Sequence, residues 1–242
     1  MDWNPQVLFW NVRGLNNMSK RNAVRDFVHD ARVNLVCLQE TKLDAIDTYV
    51  VMQCIGPSFD GFAYLLAIDT RGGILLAWDS SYTEIDNLTR DSNFLTGRVC
   101  NKDGWDWWLS VVYGPQGDEL KIIFLVELQH RRDACPGPWL VLGDVNMILR
   151  AEEKNNTNLN RSMMRRFKAF VDNNELKELY MHGRRFTWSN ERENVVMTKI
   201  DRVLVSVDWE LYYPDVLLQA LSTITPRCTS PRRLLFVLRR DL

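Results

Sequence analysis

Trp139-Leu140-Val141-Leu142 is an unbroken apolar run, entered from Pro136-Gly137-Pro138 and left through Gly143-Asp144-Val145-Asn146. Four apolar residues between turn formers predict a short strand that ends in polar side chains. The same layout recurs on both sides of it. Val7–Val12 carries Asn11 and runs into Arg13-Gly14. Leu35–Leu38 is followed by Gln39, Glu40 and Thr41, and Leu109–Tyr113 stops at Gly114-Pro115. Ile74–Trp78 follows Gly72-Gly73 and reads as a further buried strand. Arg185–Trp188, Lys199–Val205 and Val216–Leu221 are expected to be later strands, and Leu234–Leu238 can supply a last one.

Helices are expected between the early strands. Ser19 is suited to cap the first, which buries Val24, Phe27, Val28 and Ala31 on one stripe and ends by Asn34. Glu119–Arg132 is expected to turn Ile122, Ile123, Val126 and His130 inward. Arg161–Val171 is a basic amphipathic helix with Met164, Phe167 and Val171 on its apolar face. Strand–helix–strand units come first, then strands with no helix between them. That order favours two packed sheets flanked by helices over one doubly wound parallel sheet. No internal repeat, low-complexity tract or linker interrupts residues 1–242, so one domain is expected.

Composition narrows the class. Hydrophobic residues are 46% and charged residues 25%, the balance of an ordinary globular chain that needs no disulfide or structural metal to fold. The formal charge of -1 gives no global signature of nucleic-acid binding. Locally, residues 150–168 hold six basic and two acidic side chains, and residues 226–242 hold five arginines and one aspartate. Each patch taken alone reads as a solvated face or a polar tail. Five scattered cysteines (37, 54, 100, 135 and 228) suit a reducing compartment, with Cys37 and Cys100 as small core residues. No secretory leader is visible, and no apolar stretch approaches the ~20 residues of a membrane span. An intracellular protein without an obligate protein partner is the expectation, with no histidine–cysteine cluster suited to zinc.

The chemistry-bearing candidates sit at strand ends: Asn11, Glu40, Tyr113, Asp144 and Asn146, with Asp201 inside the apolar stretch Ile200–Leu204. Each has a bland reading. Asn11, Asp144 and Asn146 are good turn formers. Tyr113 can be a packed ring, and Asp201 half of an ion pair with Arg202 or Arg185. His29 and His182 read as surface histidines. Together, however, the strand ends would converge on one sheet edge, where many α/β sites form.

Six segments, taken in order, resemble the endonuclease/exonuclease/phosphatase family. They are Asn11-Val12-Arg13-Gly14, Gln39-Glu40-Thr41, Val112-Tyr113-Gly114-Pro115, Gly143-Asp144-Val145-Asn146, Phe186-Thr187-Trp188-Ser189-Asn190 and Ile200-Asp201-Arg202. The similarity spans roughly residues 5–225 and is closest to the endonuclease domain of plant non-long-terminal-repeat retrotransposons. It implies a four-layer α/β sandwich: two mixed sheets face to face, helices outside. It also implies roles. Glu40 and Asn11 hold the metal; Asp144 activates water; Asn146, Tyr113 and Thr187 contact phosphate; Asp201 orients a histidine. All-oxygen ligation favours Mg2+, with Mn2+ as a substitute. DNA is the expected substrate, contacted by Arg161, Arg165, Arg166, Lys168 and Trp188. A phosphatase acting on a small metabolite and a non-catalytic nucleic-acid-binding remnant are the alternatives.

The chain departs from the family at one point. The family's late Ser-Asp-His segment corresponds here to Thr223–Arg233, which holds neither carboxylate nor histidine, and the last histidine in the chain is His182. The resemblance therefore implies a degenerate C-terminal segment from about residue 222 and impaired activity. Motifs that run to Asp201 and then stop resemble a shifted reading frame.

Overall fold

Strand β1 (Val7–Asn11) points Val7 and Phe9 into one core and Leu8 and Trp10 into another. A strand buried on both faces needs apolar residues at successive positions, which is why it reads as a continuous run. The structure, a computed structural model, describes residues 6–68, 72–190 and 193–221 and the backbone of 235–240.

Among the described residues β1 lies in a seven-stranded sheet. Its order is β10 (Met181–His182), β14 (Val216–Ala220), β15 (Leu235–Arg240), β1, β2 (Leu35–Gln39), β4 (Ile74–Trp78), β3 (Gly61–Leu65). A second, six-stranded sheet runs β5 (Thr83–Arg90), β6 (Phe94–Asn101), β7 (Trp107–Tyr113), β8 (Trp139–Asp144), β13 (Asp201–Ser206), β9 (Leu176–Glu178). Both sheets are mixed: β1–β2 and β7–β8 are parallel, whereas β2–β4 and β8–β13 are antiparallel. Parallel neighbours need a crossover. Helix α1 (Met18–Ala31) supplies it for β1–β2, and α3 (Asp118–Ala134) for β7–β8.

Three apolar clusters define four layers. The central one joins Phe9, Cys37 and Leu76 of the first sheet to Leu109, Leu142 and Val203 of the second. Another seats α1 and α2 (Thr48–Cys54) on the outer face of the first sheet through Val24, Val28 and Val51. The third seats α3 and α4 (Arg161–Asn173) on the second sheet through Phe124, Leu128, Phe167 and Phe170. This is the expected four-layer sandwich. A short helix, α5 (Val207–Tyr212), adds Trp209 to the central core. Among the described residues no helix is long and apolar enough to cross a membrane.

Several local expectations are corrected. The cap of α1 is Asn17, whose side chain accepts from the Ser19 N–H at 2.8 Å, and the helix ends at Arg32 in the left-handed region. In α3 the inward side chains are Phe124, Leu125 and Leu128, while Ile122, Ile123, Val126 and His130 are exposed. The run Ile122–Val126 is apolar all round the helix, so spacing cannot choose a face; the larger Phe124 and Leu128, one turn apart, fill the space over the sheet. In α4 Met163 and Phe170 are buried beside Phe167 and Val171, and Met164 is only half-buried. Arg185 and Phe186 lie outside any strand; the pairing is a two-residue hairpin, β11 (Trp188–Ser189) with β12 (Met197–Thr198). The later strand begins at Asp201 and not at Lys199. Cys100 is half-buried, and Cys228 lies outside the described residues. Strand β5 has no apolar run to mark it in sequence, because six of its eight residues are charged, amide-bearing or hydroxylated and it forms the sheet edge.

Candidate active site

The two crossover units send their strands in one direction, so Asn11 and Glu40 emerge from the first sheet and Tyr113 and Asp144 from the second. Asn11 pairs in register with Gln39, and Tyr113 with Asp144. Strand β13 runs against β8, which sets its first residue, Asp201, directly opposite Asp144. Asp201 thus opens its strand; it has no ion pair with Arg185 or Arg202. Arg202 instead binds Glu153 and Glu178 in a buried network under the adjoining loop.

The side chains then meet. The Asn11 amide donates to Glu40 Oε1 at 2.8 Å. Glu40 sits at φ 53°, with the Gly72 backbone packed against it; a Cβ on Gly72 would fall 2.7 Å from Glu40 Cγ. Asp144 Oδ1 accepts from the Asn146 N–H at 2.8 Å, and the Asn146 amide donates to the Gly114 carbonyl at 2.6 Å. Gln116 closes that group by donating to Asn146 Oδ1 at 3.1 Å. The Thr187 oxygen accepts from the Ile200 and Asp201 N–H groups at 2.9 and 3.1 Å, which leaves its own proton for the Asp201 carboxylate.

Burial dominates the electrostatics. Asp144 is 5% exposed and Asp201 3%. Desolvation pushes the Asp144 carboxyl well above the usual range; the Asp201 and Glu40 charges add to this, and the Asn146 N–H and Lys121 oppose it. Asp201 is pushed up to about 7 by burial; the Thr187 hydrogen bond opposes the shift and the Glu40 charge adds to it. The Tyr113 hydroxyl is raised by burial and then by Glu40, Asp144 and Asp201. Lys121, half-buried at the start of α3, is lowered by burial and supported by Asp118 and Asp144.

This donor set fits a hard divalent cation. Asn11 Oδ1 and Asp201 Oδ1 are buried oxygens without a hydrogen-bond partner. The Glu40 charge adds to the raised proton affinity of both Asp144 and Asp201, and a nearby dication would relieve that repulsion. Among the described residues no three histidine, cysteine, aspartate or glutamate side chains are grouped so as to hold a metal ion, so a cation here would rest on fewer protein ligands. Few protein ligands and several waters is the mode of magnesium.

Of the expected site residues, Asn11, Glu40, Tyr113, Asp144, Asn146, Asp201 and Thr187 are brought to this one end of the sandwich. Arg161, Arg165, Arg166 and Lys168 are exposed on α4, with Lys168 held by Asp172 at 2.7 Å. Trp188 is 39% exposed on the hairpin, which Asn155 ties to the chain leading into α4 through hydrogen bonds with Val195 and Met197. Each histidine is exposed: His29 on α1, His130 on α3, His182 on β10 against the Tyr180 ring. His182 is therefore a surface residue, though in a strand and not a loop. The segment Thr223–Arg233 lies outside the described residues. Gln39, Gln116 and Lys121 had been given no role from sequence; their partners belong to other strands or to a loop that spacing does not reveal.

A four-layer sandwich with a carboxylate–amide cluster at one end of its paired sheets defines a class of metal-dependent phosphodiesterase folds related to DNase I. Residues 8–223 match the Endonuclease/Exonuclease/phosphatase family, and the chain belongs to that family, whose members are typically metal-dependent hydrolases. No curated protein matches the chain. Solved structures share the fold. The APE2 catalytic domain of Xenopus laevis is 18% identical with a TM-score of 0.71, covering 97% of this chain and 91% of that one. The endonuclease domain of TRAS1, a telomere-specific non-LTR retrotransposon, is 12% identical with a TM-score of 0.67, covering 98% and 99%. TDP2 of D. rerio, complexed with a single-strand DNA product, is 14% identical with a TM-score of 0.67, covering both chains fully (100% and 100%).

Proposed function

We propose that this chain is a DNA endonuclease domain of retrotransposon origin that works with Mg2+, or Mn2+ in its place, at a reduced rate. The observation that carries this reading is the cluster of Glu40, Asn11, Asp144 and Asp201 at the joined ends of the two sheets. The six sequence segments carry the retrotransposon origin, and the likeness to the TRAS1 domain supports it at the level of fold. Glu40 and Asn11 hold the metal, which when bound offsets the charge that develops on the phosphate and the leaving oxygen. Asp144, anchored through Oδ1 by the Asn146 N–H, orients the attacking water and takes its proton at its other oxygen; its raised proton affinity suits that task. Asn146 and Tyr113 hold phosphate oxygens, Thr187 having its one proton on Asp201 and so supporting that carboxyl instead of a phosphate, and α4 with Trp188 holds the DNA backbone. Such a domain, acting on DNA, works in the nucleus.

The reduced rate follows from what stands beside Asp201. Among the described residues the groups that act on it are Thr187, Glu40, Arg202, Asp144 and Tyr113, none of them a histidine, and each histidine of the chain is exposed elsewhere. A missing acid–base group lowers rate by about 10²–10⁴-fold. The same observation favours a second reading, a folded remnant that holds nucleic acid without turnover. Nicking of supercoiled plasmid with magnesium, against EDTA and an Asp144→Ala variant, separates the two. Metal-dependent nicking lost in Asp144→Ala supports the endonuclease. Salt-sensitive DNA binding with no nicking above the EDTA control supports the remnant and sinks the enzyme. A decayed reading frame is checked in the encoding DNA: no alternative frame with a Ser-Asp-His segment after residue 222 ends that idea.

A further inference from the structure

Gln39 is polar, 0% exposed and set among core strands. On its own sheet it stands opposite Asn11 and Ile74, but its side chain leaves that sheet. Its Nε2 donates to the Val112 carbonyl on β7, and its Oε1 accepts from the Asp144 N–H on β8 at 3.3 Å. An amide can make both bonds at once because it offers a donor and an acceptor while staying neutral. The facing strand is built around it. Gly143 has φ 139°, and a Cβ there would fall onto the Val112 carbonyl and 2.6 Å from Gln39 Nε2. The rest of this interface is apolar, Cys37 and Leu76 against Leu109 and Leu142, and apolar burial has no direction. Sheets held by burial alone can slide by a fraction of an ångström at little cost; directional hydrogen bonds resist it.

We propose that Gln39 is a positioning residue, a clamp between the sheets that fixes Asp144 against Glu40. Glu40 is the next residue in its chain, and Asp144 follows the glycine that makes room for it, so one side chain ties the metal-holding half of the site to the water-activating half. This inference rests on the phosphodiesterase reading. Small displacements of reacting groups are costly: about 1 Å is worth on the order of 10²-fold in rate.

The experiment has an arm without activity. In the wild-type protein, hydrogen exchange of the Gln39 side-chain amide is expected to be at least about tenfold slower than that of exposed Gln116, and exchange of the Asp144 N–H similarly slow. Gln39→Met keeps an apolar filling and removes both bonds. It is expected to speed exchange at Asp144 at least about tenfold and to lower kcat for plasmid nicking about 10–100-fold, with KM within about twofold. A Gln39 amide that exchanges as fast as Gln116 in the wild type overturns the clamp even if Gln39→Met does not fold. A folded Gln39→Met with unchanged Asp144 exchange and kcat overturns it too. A wild type that does not nick ends the phosphodiesterase reading instead, and the exchange arms then decide the clamp alone.

Discussion

Asp201 is a carboxyl group that the fold prefers protonated. Its folded pKa of about 7 lies above the ordinary 3.8, because burial outweighs the Thr187 hydrogen bond and Glu40 adds repulsion. Between those values the unfolded chain has released the proton and the folded one has kept it. Folding then binds more protons than unfolding, so stability falls as pH rises from about 4 to about 7 and levels off above. Asp144 acts in the same direction. In EDTA, urea midpoints at about pH 5 and about pH 8 should differ, the higher pH being less stable, and Asp201→Asn should shrink the difference. Equal midpoints in the wild type would remove the buried-carboxyl account. At this scale the sequence marks residues that the fold brings together and is silent about how they are held. An aspartate within Ile200–Leu204 stands out at once. That Thr187 serves it, or that Gln39 reaches Asp144 from 105 residues away, depends on strand pairing, which no local pattern encodes.

Elements read well where burial is one-sided and poorly where it is not. Helix α4 separates basic and apolar faces, and its span was legible to within two residues; α3 is apolar around the turn Ile122–Val126, and its face was misjudged. The corrected face makes a sharp contrast. Phe124→Ala should cost about 3–5 kcal/mol, since its ring packs against Phe94 in the outer core. Ile123→Glu, on a residue 52% exposed, should change stability by no more than about 0.5 kcal/mol. Thermal melts of the two variants decide it, and a reversed order would restore the face expected from spacing. A second element-scale feature was invisible in sequence. Arg202, fully buried, binds Glu153 of the 3-10 turn Ala151–Glu153 and Glu178 of β9, and Glu153 in turn accepts from the Leu149 N–H at 2.7 Å. This network pins the loop that leaves Asn146. Arg202→Met should destabilise by about 3–5 kcal/mol by leaving the buried Glu153 carboxylate without its cation, Glu178 keeping Lys199 at 2.8 Å; an unfolding free energy within about 0.5 kcal/mol of wild type would show that water compensates it.

For the whole molecule, the proposed action on DNA raises the question of how a chain with a net charge of -1 would engage a polyanion. Averaged over the surface it has no attraction for DNA, so on the proposed reading binding would come from local cations, and α4 gathers Arg161, Arg165, Arg166 and Lys168 on exposed positions. Their contributions should differ. Lys168 is already paired with Asp172 at 2.7 Å, so its release of counterions from DNA is partly spent in advance. Affinity for duplex DNA, measured in the Asp144→Ala background so that no cleavage intervenes, should fall steeply with salt. The slope of log affinity against log salt should decrease by about one unit in Arg165→Ala or Arg166→Ala, and by less in Lys168→Ala. Because phosphate contacts carry no base information, these losses should be equal on duplexes of unrelated sequence. A slope that none of the three variants alters would move the DNA-binding face off α4, and the arginine-rich stretch 226–242 would be the next segment to test.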